Sequence, residues 1–256
     1  MSVELRRQDG VSEIVLSRPE SLNALDWAHY DALVGALDDA QGDDARVVLI
    51  RSGGRAFCVG RDLSELDPAT EDPTQTLRTS YNALVLKLRS MSVPSVAAVQ
   101  GPCLGAGTGI ALSCDLTVAA QDAQFSSPFG RLGAVADSGL HWHLTTRLGE
   151  ARAKDLLLTG RELSGEEAAS LGLIARSVPR EDLVDQSWQL ARRLAEGPTR
   201  AFMLSLGIVN DVVGGRSLPE VLEAEATAQG VAFETRDFSE GLQSFREKRA
   251  PRFRGN

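Results

Sequence analysis

The sequence predicts an α/β fold that ends in a helical region, on three observations. Short continuous apolar runs at 13–17, 46–51 and 93–99 alternate with stretches of helical period in the first half of the chain. Glycine-rich segments leave two of those runs, at 52–63 and 100–112. After Gly139 the strand-like runs cease and helix-period segments continue to the C-terminus.

Glu13-Ile14-Val15-Leu16-Ser17 and Arg46-Val47-Val48-Leu49-Ile50-Arg51 read as buried strands. Between them, residues 26–37 carry apolar positions at helical spacing, so the local unit is strand–helix–strand. A helix over 80–90 precedes the strand at 93–99; a helix over 106–113 precedes a strand at 115–120. Such alternation predicts crossover connections. The later helices are expected at 140–148, 151–158, 164–171, 181–194, 199–213, 218–232 and 238–249, punctuated by Gly149, Gly160, Gly172 and Gly197-Pro198. The expected division is a core over 1–195 and a helical region over 196–256, with no internal repeat.

The 256 residues are 43 % hydrophobic and 24 % charged, enough to bury a substantial core. A formal charge of −8 argues against nucleic acid as the main partner, because neutralising phosphates needs a basic face. Cys58, Cys103 and Cys114 form no C-x-x-C pair and sit in apolar or glycine-rich surroundings, as reduced thiols do. The first seven residues are followed by no apolar stretch and are not expected to be a signal peptide. No run approaches the roughly 20 apolar residues of a membrane span. A cytoplasmic location without a membrane partner is the expectation.

The segments at 52–63, Ser-Gly-Gly-Arg-Ala-Phe-Cys-Val-Gly-Arg-Asp-Leu, and at 100–112, Gln-Gly-Pro-Cys-Leu-Gly-Ala-Gly-Thr-Gly-Ile-Ala-Leu, carry the chemistry. Glycines at a strand-to-helix turn let main chain approach a ligand, and a helix start offers free N–H groups at a positive dipole end. Two such donors converging from different loops are what an enolate or tetrahedral oxyanion requires. The same glycines are also compatible with tight turns alone. Neither segment fits a Walker-type phosphate loop, and Gly105-x-Gly107-x-Gly109 lacks dinucleotide-fingerprint spacing.

In this order the two segments resemble the oxyanion-hole motifs of the crotonase superfamily, the enoyl-CoA hydratases and isomerases. Arg18-Pro19-Glu20-Ser21-Leu22-Asn23-Ala24-Leu25, Leu157-Leu158-Thr159-Gly160 with Ala168-Ala169-Ser170-Leu171-Gly172-Leu173, and residues 240–249 resemble further elements of that family, so the likeness spans nearly the whole chain. The resemblance implies a crotonase-like spiral of βα units and a C-terminal helical oligomerisation region that makes trimers or hexamers. It implies an acyl-CoA thioester substrate and no cofactor beyond the coenzyme A that the substrate carries. The backbone N–H groups of Arg61 and Ala106 would be the oxyanion donors. Ala24, Ala56, Cys58, Gly60, Leu104, Gly105, Gly109, Phe129 and Leu132 would line the substrate, and Phe245 and Lys248 would touch the coenzyme A of a neighbouring subunit.

The family's hydratases use two glutamates, and the matching positions here are Gly109 and Phe129, neither a carboxylate. Residues 132–139, Leu-Gly-Ala-Val-Ala-Asp-Ser-Gly, resemble instead the isomerase segment in which an acidic residue shuttles a proton; Ala136 replaces its usual proline. Asp137 is therefore the candidate acid/base. One carboxylate suffices for a 1,3-proton shift, whereas hydration must also orient a water. Asp137 also stands where an N-cap would, with Ser138 as a competing cap. An apolar wall at Phe129 is expected to raise the pKa of a nearby carboxylate. His141, one turn on, is placed to tune Asp137, and Trp142 is expected in the core. His141 and His143 point to different sides of a helix, so no metal pair is expected. The expected activity is double-bond isomerisation of an acyl-CoA, aliphatic or ring-containing. A hydratase and a non-catalytic acyl-CoA-binding homologue are the alternatives.

Overall fold

The computed structural model describes residues 2–42, 44–64 and 66–256. The chain opens with an antiparallel hairpin, β1 (Val3–Gln8) and β2 (Val11–Leu16), turned by Asp9 and Gly10 at φ 52° and 76°. Asp-Gly is the pair that tolerates left-handed backbone at both positions of such a turn. β1 alternates weakly, with a mostly polar sequence on the edge of the sheet, and gives no strand signal in the sequence. β2 is wholly buried, including Glu13, whose carboxylate is paired with Arg51 and takes a hydrogen bond from Trp188 Nε1 (3.0 Å).

α1 (Trp27–Asp39) starts where the Asp26 side chain accepts from the His29 N–H (2.7 Å), and it buries His29, Tyr30, Leu33 and Leu37 on one stripe. β3 (Val47–Ser52) then pairs parallel with β2. α2 (Pro73–Thr79), which the sequence did not suggest, is capped by Asp72. α3 (Tyr81–Arg89) leads to β4 (Ser95–Val99), parallel to β3. A short β5 (Pro102–Leu104) and the fully buried α4 (Ala106–Ser113) precede β6 (Leu116–Ala120), parallel to β4, and β7 (Gln124–Ser126).

Next come α5 (Leu140–Leu148), α6 (Glu150–Thr159), β8 (Leu163–Ser164), α7 (Gly165–Ser170), β9 (Arg176–Val178) and α8 (Leu183–Ala195). The main sheet runs β1-β2-β3-β4-β6-β9, and a smaller one runs β5-β7-β8. The small sheet follows the large one in step: β4 continues into β5 and β6 into β7, while Cys58, beyond β3, bridges to Cys103 in β5. Each unit thus lays a long strand in one layer and a short one in the next, which is a spiral. α8 packs on β3 and β4 through Leu183, Ser187, Leu190 and Ala191, an i, i+4, i+7, i+8 stripe.

α9 (Thr199–Val213), α10 (Leu218–Phe233) and α11 (Arg236–Glu247) finish the chain. Arg46 ties α9 to the core by donating to Thr199 Oγ1 (2.6 Å), and the buried Asp237 accepts from the Arg254 and Gly255 N–H groups (2.6 and 2.7 Å). α10 buries no residue, and Leu218, Leu222 and Phe233 are exposed. Contrary to expectation, Trp142 does not fill the core: it is 40 % exposed, and Arg89 lies over its ring (5.2 Å). Among the described residues no helix is long and apolar enough to cross a membrane.

Candidate active site

The site begins with a clamp at residues 18–25. Leu22 and Asn23 hold positive φ (55° and 56°), which aims the buried Asn23 amide at the loop after β3. Its Nδ2 donates to Gly53 O (3.0 Å) and Ala56 O (2.9 Å), and its Oδ1 accepts from the Arg18 N–H (2.8 Å). Arg18 reaches Ala24 O (2.9 Å), Asp26 (2.8 Å) and Asp62 (3.7 Å). Ala24, Ala56 and Cys58 are buried, and their carbonyls accept hydrogen bonds within the protein.

The loop itself runs as a strand beside β5. Phe57 N–H donates to Pro102 O and Leu104 N–H to Cys58 O, both at 3.0 Å. A Cβ on Gly107 would lie 2.0 Å from Cys58 O, so only glycine admits this approach. On its far edge, Gly60 O accepts from the Leu25 N–H (2.8 Å) and Asp62 N–H donates to Leu25 O (2.9 Å). In an extended chain successive amides point to opposite sides. The Arg61 N–H is thereby turned away from Leu25, toward the start of α4. There Gly105, at φ 52° and ψ −123°, gives its own N–H to Ser126 O (3.0 Å) and leaves Ala106 as the first helical residue. A Cβ on Gly60 would lie 3.1 Å from Ala106 N, which measures how closely the two segments meet. Neither the Arg61 nor the Ala106 amide has an acceptor among the described residues. Ala106 is buried, and a buried unpaired amide costs about 1–3 kcal/mol, so this end of α4 is prepared for an anionic or carbonyl oxygen.

Asp137 stands in the tight turn before α5, where Ser138 and Gly139 hold φ 51° and 77°. No side chain caps α5; Gly139 occupies the cap and Leu140 N–H returns to Asp137 O (3.0 Å). The capping alternative for Asp137 and Ser138 is thereby set aside. Ser138 Oγ donates to Asp137 Oδ1 (2.8 Å), and Oδ2 has no partner among the described residues. Burial raises the carboxyl above the ordinary Asp value, against the Ser138 hydrogen bond and the charges of Arg61 and His141. Gly109, one turn into α4, seats this turn: a Cβ there would lie 2.3 Å from Ser138 O and 2.5 Å from Ser138 Cβ. Gly109 is therefore a packing surface for the acid.

Phe129 is half-buried, its ring 3.5 Å from the position a Cβ would take on Gly105, and so borders the amide pair. Leu132 is 64 % exposed on the loop leading to Asp137. His141 is exposed, whereas His143 is buried, its Nε2 3.1 Å from Ser113 Oγ. Burial, Arg147 and Arg89 push His143 down to about 3, so it is neutral. Phe245 is 82 % exposed near the end of α11, and Lys248 just beyond it is exposed too. The Arg61 guanidinium does not face open solvent: it forms a bidentate pair with Glu71 (2.6 Å for each bond) and lies 5.5 Å from the Trp27 ring centre. Glu71 and the buried Tyr81, whose phenol is raised by burial while feeling Arg61, Cys58 and Asp137, are site residues without a sequence signal, and Asn23 was signalled only as part of the 18–25 motif. Among the described residues no group of three His, Cys, Asp or Glu is placed to hold a metal ion.

A family model described as enoyl-CoA hydratase/isomerase matches residues 6–256. The chain is 38 % identical to a Rhodobacter capsulatus protein named probable enoyl-CoA hydratase, over 96 % of this chain and 95 % of that one. It is 36 % identical to the 1,2-epoxyphenylacetyl-CoA isomerase of Escherichia coli, over 97 % and 96 %. The crystal structure of an enoyl-CoA hydratase subunit I from Geobacillus kaustophilus superposes with a TM-score of 0.92 at 35 % identity, covering 100 % of this chain and 99 % of that one.

Proposed function

The chain belongs to the enoyl-CoA hydratase/isomerase family, and from that premise we propose that it shifts a double bond in an acyl-CoA by proton transfer, with Asp137 as acid/base. The thioester carbonyl oxygen sits between the Arg61 and Ala106 N–H groups. Asp137 takes a proton from the carbon beside the thioester, and the resulting enolate is held by the two amides. The same carboxyl returns the proton two carbons along, so the double bond moves into conjugation and no water is consumed.

The observation that carries this reading is that a half-buried carboxylate, bonded only by Ser138 Oγ among the described residues, belongs to a turn whose next residue, Ser138, packs on α4, the helix that also starts with the free Ala106 amide. Burial raises the Asp137 pKa above the ordinary Asp value, the direction that makes a carboxylate a stronger base. Asp137→Asn should lower turnover of a 3-enoyl-CoA by about 10²–10⁴-fold with acyl-CoA binding retained. Undiminished isomerase turnover in that variant would exclude the assignment.

A hydratase reading is favoured by the name of the Rhodobacter relative, and a ring-containing substrate by that of the Escherichia coli relative. Hydration lacks its second carboxylate, since Gly109 is packed against Ser138 and position 129 is phenylalanine. Assaying hydration of a short trans-2-enoyl-CoA beside isomerisation of the 3-enoyl and of a ring-containing acyl-CoA separates these. Binding without turnover of any of them would indicate the non-catalytic homologue. The exposed apolar side chains of α9, α10 and α11 support assembly as a homotrimer or hexamer, with Phe245 and Lys248 toward a neighbour's coenzyme A. The bacterial relatives support a cytoplasmic location.

A further inference from the structure

We infer that Glu71 is a positioning residue: by gripping the Arg61 guanidinium it keeps that cation from closing onto Asp137, so that the acid/base stays unpaired. The inference rests on the role proposed for Asp137.

Arg61 is required at its position only for a main-chain N–H, yet it brings a guanidinium into the site. Arginine pairs bidentately with any planar carboxylate it can reach. Among the described residues, the carboxylates around it are Glu71, Asp62 and Asp26, and Asp137, whose turn packs on the same turn of α4. Asp26 and Asp62 are held by Arg18, Asp62 also by Ser64 Oγ (2.7 Å) and Ser64 N–H (3.0 Å), and Asp26 by capping α1. Glu71 takes both faces of the Arg61 fork, with both side chains about one-fifth exposed, and Trp27 backs the pair. Asp137 is the remaining carboxylate, and no ion pair joins it to Arg61 or His141 among the described residues. Gly60 meets Ala106 and Ser138 meets Gly109, one turn further along α4, so the segments carrying Arg61 and Asp137 converge on the same helix turn, and the Arg61 charge opposes the upward shift of the Asp137 carboxyl. The charged or titratable groups facing Asp137 are Arg61, His141 and Tyr81. Without Glu71, a half-buried cation would lose its partner, and Asp137 is the acceptor left.

The test is the pH dependence of kcat/KM for isomerisation of a 3-enoyl-CoA by the full-length protein. The limb on which activity falls with acidification reports the Asp137 carboxyl. In Glu71→Ala, and in Glu71→Gln, which keeps the shape but not the charge, that limb should move to lower pH by about 1–3 units, the range a close Arg–carboxylate contact produces. kcat should fall by about tenfold or more, because a paired carboxylate is a weaker base. In the double variant Glu71→Ala with Arg61→Gln, which keeps the main-chain N–H but removes the cation, the limb should return to the wild-type position.

A limb unmoved in both single variants overturns the inference, as does one that stays displaced in the double variant. Should Glu71→Ala not fold, Glu71→Gln alone decides. Asp137→Asn separates the two layers: if it turns over substrate normally, the proposed acid/base role is wrong. If it is inactive while the Glu71 variants keep the wild-type limb, only the role of Glu71 is wrong.

Discussion

Gly109→Ala adds one methyl group and is expected to damage the site more than the fold. Gly109 lies inside α4, where alanine is favoured over glycine by about 1 kcal/mol from helix propensity alone. The added Cβ would lie 2.3 Å from Ser138 O, against the 3.4 Å at which ordinary contact begins. The backbone must therefore part by 3.4 − 2.3, about 1.1 Å. Neither side yields easily, because α4 is buried throughout and Ser138 is held at φ 51°. Overpacking of this kind costs about 1–3 kcal/mol, leaving a net loss of up to about 2 kcal/mol after the propensity gain. A displacement of about 1 Å beside a reacting group costs on the order of 10²-fold in rate. Steady-state kinetics with a 3-enoyl-CoA and urea unfolding measure the two effects. Gly35→Ala on the exposed face of α1 is the control: nothing lies within 4 Å of its Cβ position, so stability should rise by about 0.5–1 kcal/mol with activity unchanged. Wild-type kcat and stability in Gly109→Ala would refute the close seating of the Asp137 turn on α4.

Asp137→Asn should also change the pH dependence of stability. Its folded-state pKa is raised, so the ionised carboxyl penalises the fold; that penalty is absent below the ordinary Asp value of about 3.9 and grows as pH rises through the raised one. The variant should therefore melt above wild type at about pH 7–8 and with it below about pH 4, as calorimetry across pH would show. Asn23→Ala leaves Gly53 O and the Arg18 N–H without their partner, while Ala56 O keeps Ser52 Oγ, and should cost about 1–3 kcal/mol in urea unfolding. Cys58, Cys103 and Cys114 are fully buried, with burial pushing Cys58 up to about 12 and raising the other two well above the ordinary thiol value. A thiol reagent at about pH 8 should modify none of them in the native protein and all three in denaturant.

What the sequence discloses follows the physics of each element. β2, β3, β4 and β6 are buried on both faces and read as continuous apolar runs. β5, β7, β8 and β9 span two or three residues, too short for any periodicity, and their pairing comes from the turn of the spiral. The close approach of the two loops was legible because glycines at 60 and 107 are a local necessity of backbone contact, whereas the choice of the Arg61 and Ala106 amides came from the family resemblance. Glu71 was not legible, because its partner is set by how a loop folds back over ten residues. Nor was the job of Asn23, which depends on two consecutive left-handed residues that no composition signals. Trp142 misleads for a related reason: its bulk suggests the core, but the inward face of α5 is already filled by Leu140, His143 and Leu144.

α4 also explains why the proposed chemistry is a proton shift along a short carbon chain. Ala106 presents the amide, and Gly109 seats the Asp137 turn three residues later, a rise of about 4.5 Å along the helix. A thioester oxygen and the carbon three bonds beyond its carbonyl are separated by roughly 4–5 Å, given bonds of about 1.2–1.5 Å. One turn of one helix therefore carries both the Ala106 amide and the residue on which the Asp137 turn packs, a spacing of the same order as the one the proposed proton shift needs. A side chain at position 109 would break that spacing from within the helix. A guanidinium released onto Asp137 would pair the proposed acid/base, and in the structure that cation is paired with Glu71.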